Sequence, residues 1–432
     1  MNYDIIIGRD DKQIKELGDK GLIFLGKQYV KMGQFSSLSN RVMLDVNTSH
    51  VILVTGKRGM GKSYALSVIA EEMTHLPEEV NKNIAILMID TMGIFWSMKY
   101  PNSRQEDELR EWSLKPQGLN VKVYVPLGKF NDYKNKGIPA DLSFSIRPSE
   151  LNANDWCNVF NLSLTDSIGV LIERIISDSK KDYDLDDIIN EIKKDKKSNQ
   201  EIKNAVENRF QAAKSWGIFD KKAVEIKDII KGGQVSILDT SCYDDFNVKA
   251  LVTGILCKKL MQERMTERKK EEMSRIQAGE HFLIKEEQDF PMVWILLDES
   301  HEFLPKKGTT PATDSLIQIL REGRQPGISL VLATQQPGEI HKDVLTQSDI
   351  VISFKLTAKI DIEALNAIMQ TYLTSDILAY INNLPDIKGS GIILDDTSER
   401  IYSFKTRPKL SWHGGDAPSA VKIKKKILDI GL

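Results

Sequence analysis

The chain has little cysteine, no long apolar run and no excess of charge of either sign, and each absence removes a class of protein. Its three cysteines, Cys157, Cys242 and Cys257, show no CxxC spacing and cannot all pair with one another. That argues against a disulfide scaffold or a zinc site and suits a reducing compartment. No apolar stretch approaches the length of a membrane span, about eighteen residues, and the opening MNYDIIIGRDDK carries acids where a secretion signal carries bases. The expectation is a cytoplasmic protein with no membrane partner. With 59 Lys+Arg against 61 Asp+Glu the formal charge is −2, so any contact with nucleic acid has to come from a local patch or a channel. Internal repeats and low-complexity segments are also missing. The 432 residues, with ordinary apolar and charged fractions, suffice for one large core or two ordinary ones.

What is present is concentrated first in VILVTGKRGMGKS, Val51 to Ser63. An apolar run ends at Gly56, four residues intervene, and Gly61-Lys62-Ser63 opens a helix on which Leu66, Ile69, Ala70 and Met73 recur at helical spacing. Glycines let backbone N–H groups curl around phosphate oxygens, and the helix N-terminus adds its partial positive charge. Lys62 is placed to reach the β- and γ-phosphates of a nucleoside triphosphate and Ser63 to hold Mg²⁺. Lys57, Arg58, Gly59, Met60 and Tyr64 complete the stretch expected to line the nucleotide.

Around this motif the pattern is that of an α/β domain. Apolar runs at 84–90, 121–127, 235–239, 293–300, 328–334 and 350–356 alternate with helical stretches, and near-continuous apolar strands imply a mostly parallel sheet covered on both faces. Residues 1–45 read as a small β-rich N-terminal segment, 46–410 as the core, and 411–432 as a C-terminal tail or brace that includes the basic VKIKKKILDIGL. Within the core, about 150–232 read as a helical insertion, with Ile168, Leu171, Ile172, Ile175 and Ile176 on one stripe and KKDKKSNQ marking a turn. A long helix begins near Val248, and its continuation QERMTERKKEEMSRIQ, lacking an apolar stripe, is expected to be solvated.

A phosphate loop that hydrolyses its nucleotide needs a metal partner and a group that orients water. VWILLDES supplies Asp298 for the Mg²⁺ shell and Glu299 for the attacking water. The next apolar run, ISLVLATQQPG, ends in Thr334, Gln335 and Gln336, and Gln335 is the choice for a γ-phosphate sensor. Just before it, LREGRQPG carries Arg321 and Arg324, either of which is shaped to be delivered to a neighbour's nucleotide.

Together TGKRGMGKSYALSVIAEEM, LLDESHEFLP, REGRQPGISLVLATQQPGEIHKDVLTQSDIVISFKL and SWHGGDAPS resemble HerA, a hexameric DNA translocase of the HerA/FtsK group, over roughly residues 20 to 420. The resemblance implies a RecA-like P-loop core, with Gly56, Gly59, Gly61, Lys62 and Ser63 as Walker A and Asp298 with Glu299 as Walker B. It further implies Gln335 as sensor and Arg324 as arginine finger. It implies a homo-oligomeric ring, a hexamer in that family, that pumps double-stranded DNA beside a nuclease such as NurA, with Lys306 and Lys307 as candidate phosphate contacts in the pore. The family's β-barrel before the core has room here only as a remnant. That leaves a second reading open: an ATP-binding platform that organises a nuclease or NAD-degrading effector in an antiphage defence complex. A nucleotide kinase would fit the phosphate loop alone, but the adjacent acids and the arginine segment count against it.

Overall fold

The computed structural model describes residues 4–32, 35–179, 182–278, 289–369, 380–381 and 383–415. Among these, thirteen strands form one continuous sheet: β1 (Ile5–Ile7), β2 (Leu22–Met32), β3 (Phe35–Asp45), β4 (Val51–Thr55), β5 (Ile84–Asp90), β6 (Lys122–Pro126), β7 (Leu142–Phe144), β8 (Val235–Asp239), β9 (Met292–Leu297), β10 (Ile328–Thr334), β11 (Ile350–Phe354), β12 (Ser390–Asp395) and β13 (Arg400–Thr406). Their order is β1-β3-β2-β13-β12-β11-β4-β10-β9-β5-β8-β6-β7. From β11 to β7 every neighbouring pair is parallel, whereas β12, β13, β2 and β3 continue the sheet by antiparallel pairing.

The parallel half is apolar on both faces because both are covered, and side chains divide by the two-residue period of a strand. Leu53, Leu87, Ile89, Val293, Ile295 and Leu297 point into one core. Ile52, Val54, Ile86, Met88, Trp294 and Leu296 point into the other, which is closed by the helix Lys62–Thr74 through Leu66, Ile69 and Met73. Between β7 and β8 the chain is helical. Ser167–Asp178 buries Leu171, Ile172 and Ile175, and Leu185–Lys194 and Gln200–Ser215 flank the polar stretch around Lys196. Asn152 caps a preceding helix, Ala153–Val159, and Asp184 caps Leu185–Lys194, with side-chain bonds to Asp155 N and Asp187 N.

Three expectations need revision or restriction. The N-terminal residues are not set apart from the core: β2 pairs with β13, so the β2–β3 ribbon lengthens the main sheet. The helix Phe246–Ala278 does continue through the charged run, but the run is not simply solvated, since Arg264, Glu267 and Glu271 are buried. Their spacing brings them to one face of the helix, against the segments that lead into β9 and β10. The basic stretch VKIKKKILDIGL lies outside the described residues. Among the described residues no helix is long and apolar enough to cross a membrane.

Two buried ionic clusters pin the elements that carry the site. Glu71, on the helix Lys62–Thr74, receives N–H groups from Leu410 at 3.0 Å and Ser411 at 2.9 Å and the Arg407 guanidinium at 3.0 Å. It thereby ties that helix to the segment following β13. At the foot of β4, His50 Nδ1 lies 2.6 Å from Asp349 Oδ2 and Nε2 lies 3.3 Å from Asp45 Oδ2, joining β4 to the ends of β3 and β11.

Burial alone would lower the His50 pKa, but hydrogen bonds and charge from Asp349 and Asp45 outweigh it and raise the value from 6.5 to about 9. A folded-state pKa above the unfolded one stabilises fully below pH 6.5 and is lost as pH rises through about 9. Urea unfolding of the wild type should therefore weaken across that window by about 3 kcal/mol, and His50→Gln should flatten this part of the profile. An unchanged profile in the variant would contradict the ionic role of His50.

Candidate nucleotide site

The site forms at the shared carboxyl edge of β4, β10 and β9, where β4 and β10 end level and β9 stops two residues short of β10. Thr334 is paired with Thr55, and Leu332 with Leu297. The residues that follow each strand, Gly56, Gln335 and Asp298, therefore emerge together at one edge of the sheet. After Gly56 the loop turns through Gly59 at φ 78° and Gly61 at φ 118° before the helix starts at Lys62. Lys57 N donates to Lys355 O at 3.0 Å and Gly389 N donates to Met60 O at 3.2 Å, so the loop is held from the ends of β11 and the approach to β12. The chain carries Met60 buried and leaves Lys57 and Arg58 exposed.

Lys62 is 5% exposed, and its Nζ donates to Lys57 O at 3.4 Å, curling back over the loop. Burial lowers its pKa, while Glu299 and Asp298 oppose that shift by their charge. Ser63 Oγ donates to Asp298 Oδ2 at 2.5 Å, joining positions 235 residues apart. Burial raises the Asp298 pKa, against the hydrogen bond from Ser63. Glu299 sits in the left-handed region at φ 50°, a conformation that costs a non-glycine residue roughly 1 kcal/mol or more. Its Oε1 accepts from Gln335 Nε2, and its Oε2 is buried without a hydrogen-bond partner. His301 Nδ1 stands 3.7 Å from Glu299 Oε2 and shares a 3.1 Å hydrogen bond with Thr334 Oγ1. Burial lowers the His301 pKa, against the charge of Glu302 and Asp298.

Lys62, Ser63, Asp298, Glu299 and Gln335 are thus brought into one constellation. The remaining positions are placed elsewhere. The Tyr64 phenol accepts from Lys409 N at 2.5 Å and donates to Gln105 at 3.0 Å, with its ring edge-on to His413. Its side chain therefore braces the C-terminal segment. Lys306 Nζ donates to Gly338 O at 2.8 Å, which ties the loop after Glu299 to the turn after β10, while Lys307 is exposed. Arg321 is paired with Asp343 at 2.6 Å. Arg324 precedes β10 and so lies at the edge of the sheet opposite the phosphate loop, exposed and making no ion pair among the described residues. Sequence reasoning missed the supports, namely Lys355, Gly389, His301 and Glu71. Of these only His301, next to the acid pair, carried a local signal.

A strand that runs into a glycine loop and helix, a carboxylate pair on a strand two places away, and a polar side chain on the strand between them define a P-loop nucleoside triphosphatase with a RecA-like core. The chain belongs to the HerA helicase family: the family model "Helicase HerA, central domain" matches residues 30–260. It is 23% identical over 357 residues to the DNA double-strand break repair helicase HerA of Sulfurisphaera tokodaii, an alignment covering 81% of this chain and 63% of that one. It is also 23% identical over 367 residues to a probable HerA of Methanocaldococcus jannaschii, covering 77% and 68%. The chain thus spans about two thirds of the length of these relatives or less. Among solved structures it shares the fold of VirB4 of Thermoanaerobacter pseudethanolicus, with TM-score 0.55, 13% identity, and coverage of 94% and 99%.

The loop glycines are not equivalent. A Cβ at Gly56 would stand 2.8 Å from Phe354 Cβ, whereas one at Gly59 would meet nothing within 4 Å. Gly59→Ala should cost only the left-handed strain, roughly 1 to 2 kcal/mol, and weaken binding of a fluorescent ATP analogue by at most about tenfold. Gly56→Ala should push the loop off β11 and weaken binding further. Equal affinities for the two variants would contradict this packing.

Proposed function

We propose that this chain is the ATP-hydrolysing subunit of a homo-oligomeric ring, a hexamer by family resemblance, that moves on double-stranded DNA in concert with a nuclease or other effector. The observation that carries the reading is the division of the machinery between opposite edges of one sheet. Lys62, Ser63, Asp298, Glu299 and Gln335 lie at the carboxyl ends of the strands. Arg324 lies beyond the amino end of β10, a strand of 7 residues that rises about 23 Å. An arginine there cannot reach its own protomer's phosphates. It is placed for those of an adjoining copy.

In this reading the triphosphate lies over the loop from Gly56 to Ser63, with backbone N–H groups and Lys62 on its oxygens. The oxygen set of Ser63 and Asp298 suits a hard cation, and bound Mg²⁺ would supply charge neutralisation on the β- and γ-phosphates. Glu299 orients and polarises water with the oxygen that has no partner in the protein. The Gln335 amide, now on Glu299, is placed to pass to an arriving γ-phosphate and so release the acid. Exposed Lys307 is the better phosphate contact for DNA, since Lys306 is committed to Gly338. Contact of that kind is independent of sequence and weakens with salt.

The test is ATP turnover with and without duplex DNA. Wild type should hydrolyse ATP faster with duplex. Glu299→Gln should bind ATP and turn over at background, and Arg324→Ala should bind normally and slow by about 10³-fold. No turnover by wild type in either condition overturns the motor reading, and normal turnover by Arg324→Ala overturns the arginine-finger assignment. If an effector's function survives in Glu299→Gln, the ring serves as an assembly platform and not as a motor.

A further inference from the structure

Arg264 is 1% exposed in the middle of the helix Phe246–Ala278, and its fork reaches two other segments of the chain and one residue of its own helix. Nε donates to Pro326 O at 2.6 Å, Nη1 to Phe290 O at 2.5 Å and Nη2 to Glu271 Oε1 at 3.1 Å. Phe290 leads into β9, the strand that delivers Asp298 and Glu299, and Pro326 belongs to the turn that carries Arg324. That turn is otherwise tight: Ile328 N donates to Gly323 O at 2.8 Å and Val293 N to Gly327 O at 3.0 Å. Gly327 has φ +87°, and a Cβ there would stand 3.1 Å from Arg264 Nη2. Glu271 is in turn held by Arg268 Nη1 at 3.2 Å, and Glu267 accepts from Asp289 N at 2.9 Å.

Burying a guanidinium costs several kcal/mol before its partners are counted, and an apolar side chain would fill the same space. What the planar fork adds is direction, since its donors lie in one fixed plane and set two carbonyls at fixed positions. We propose that Arg264 is a positioning residue for the trans arginine: it fixes the turn from Gly323 to Gly327 relative to β9, so that Arg324 is presented to the neighbouring copy in one orientation. The inference rests on the reading of Arg324 given above.

Arg264→Met keeps the apolar stem and removes the fork. It should bind an ATP analogue and assemble as wild type, with KM little changed and kcat lower by about ten- to a hundredfold, the loss expected when a reacting group is misplaced by about 1 Å. Rings mixed from Arg264→Met and Glu299→Gln subunits should turn over faster than either alone, because the second variant lends a well-placed Arg324 to competent sites of the first. Arg264→Lys, which can hold one carbonyl but not two, should recover part of kcat, and it carries the same readouts if the Met variant does not assemble. Wild-type kcat in the Arg264 variants beside a slow Arg324→Ala overturns the positioning role and leaves the arginine finger standing. A fast Arg324→Ala overturns the finger itself. Loss of nucleotide binding, or mixed rings that gain nothing, would make Arg264 only a fold residue and also overturn the proposal.

Discussion

The shared carboxyl edge of the parallel strands β4, β10 and β9 is the constraint on which the rest depends. Parallel pairing with Thr334 beside Thr55 and Leu297 beside Leu332 brings a glycine loop, an amide and two carboxylates to one edge. The same pairing sends whatever precedes β10 to the opposite edge. In the proposed reading such a sheet holds half of a phosphoryl-transfer apparatus on each edge, and a second copy brings the halves together.

The protein holds its half in a state of tension. Lys62 and Asp298 are buried charged groups whose pKa values burial moves toward neutrality. Glu299 is in a left-handed conformation with one oxygen on Gln335 and the other without a partner. Such strain and unmet valence concentrate at working sites and persist only where surrounding structure over-determines them. Here the determinants are the Lys355 and Gly389 contacts to the loop, the Glu71 cluster behind its helix and the His50 cluster below β4. The first holds the loop itself, and the other two hold the helix after it and the strand before it.

Much of this was legible in the sequence where one physical signal dominated. The runs at 84–90, 235–239 and 328–334 coincide with β5, β8 and β10, because strands covered on both faces must be apolar throughout. The strands β12 and β13 gave no such signal. β13 has one partly exposed face bearing Ile401, Ser403 and Lys405, and an antiparallel ribbon of that kind loses the continuous pattern. Motif spacing named Ser63, Asp298, Glu299 and Gln335. Their contacts, which span 235 and 36 residues, depend on register that no local pattern encodes. The run around Arg264 read as solvated because its charges mask a stripe: Arg264, Glu267 and Glu271 lie at helical spacing and are buried, a pattern apolar periodicity does not detect. Tyr64 and Lys306 show the converse. Proximity to a motif in sequence did not direct their side chains to its ligand.

The account stands on the proposition that one protomer is catalytically incomplete. The direct measurement is ATP turnover per subunit across a dilution series, with the assembled fraction counted at each concentration by mass photometry. Turnover that follows the assembled fraction, and disappears when only single protomers remain, is the predicted result. Solitary protomers hydrolysing ATP at the full rate would contradict it.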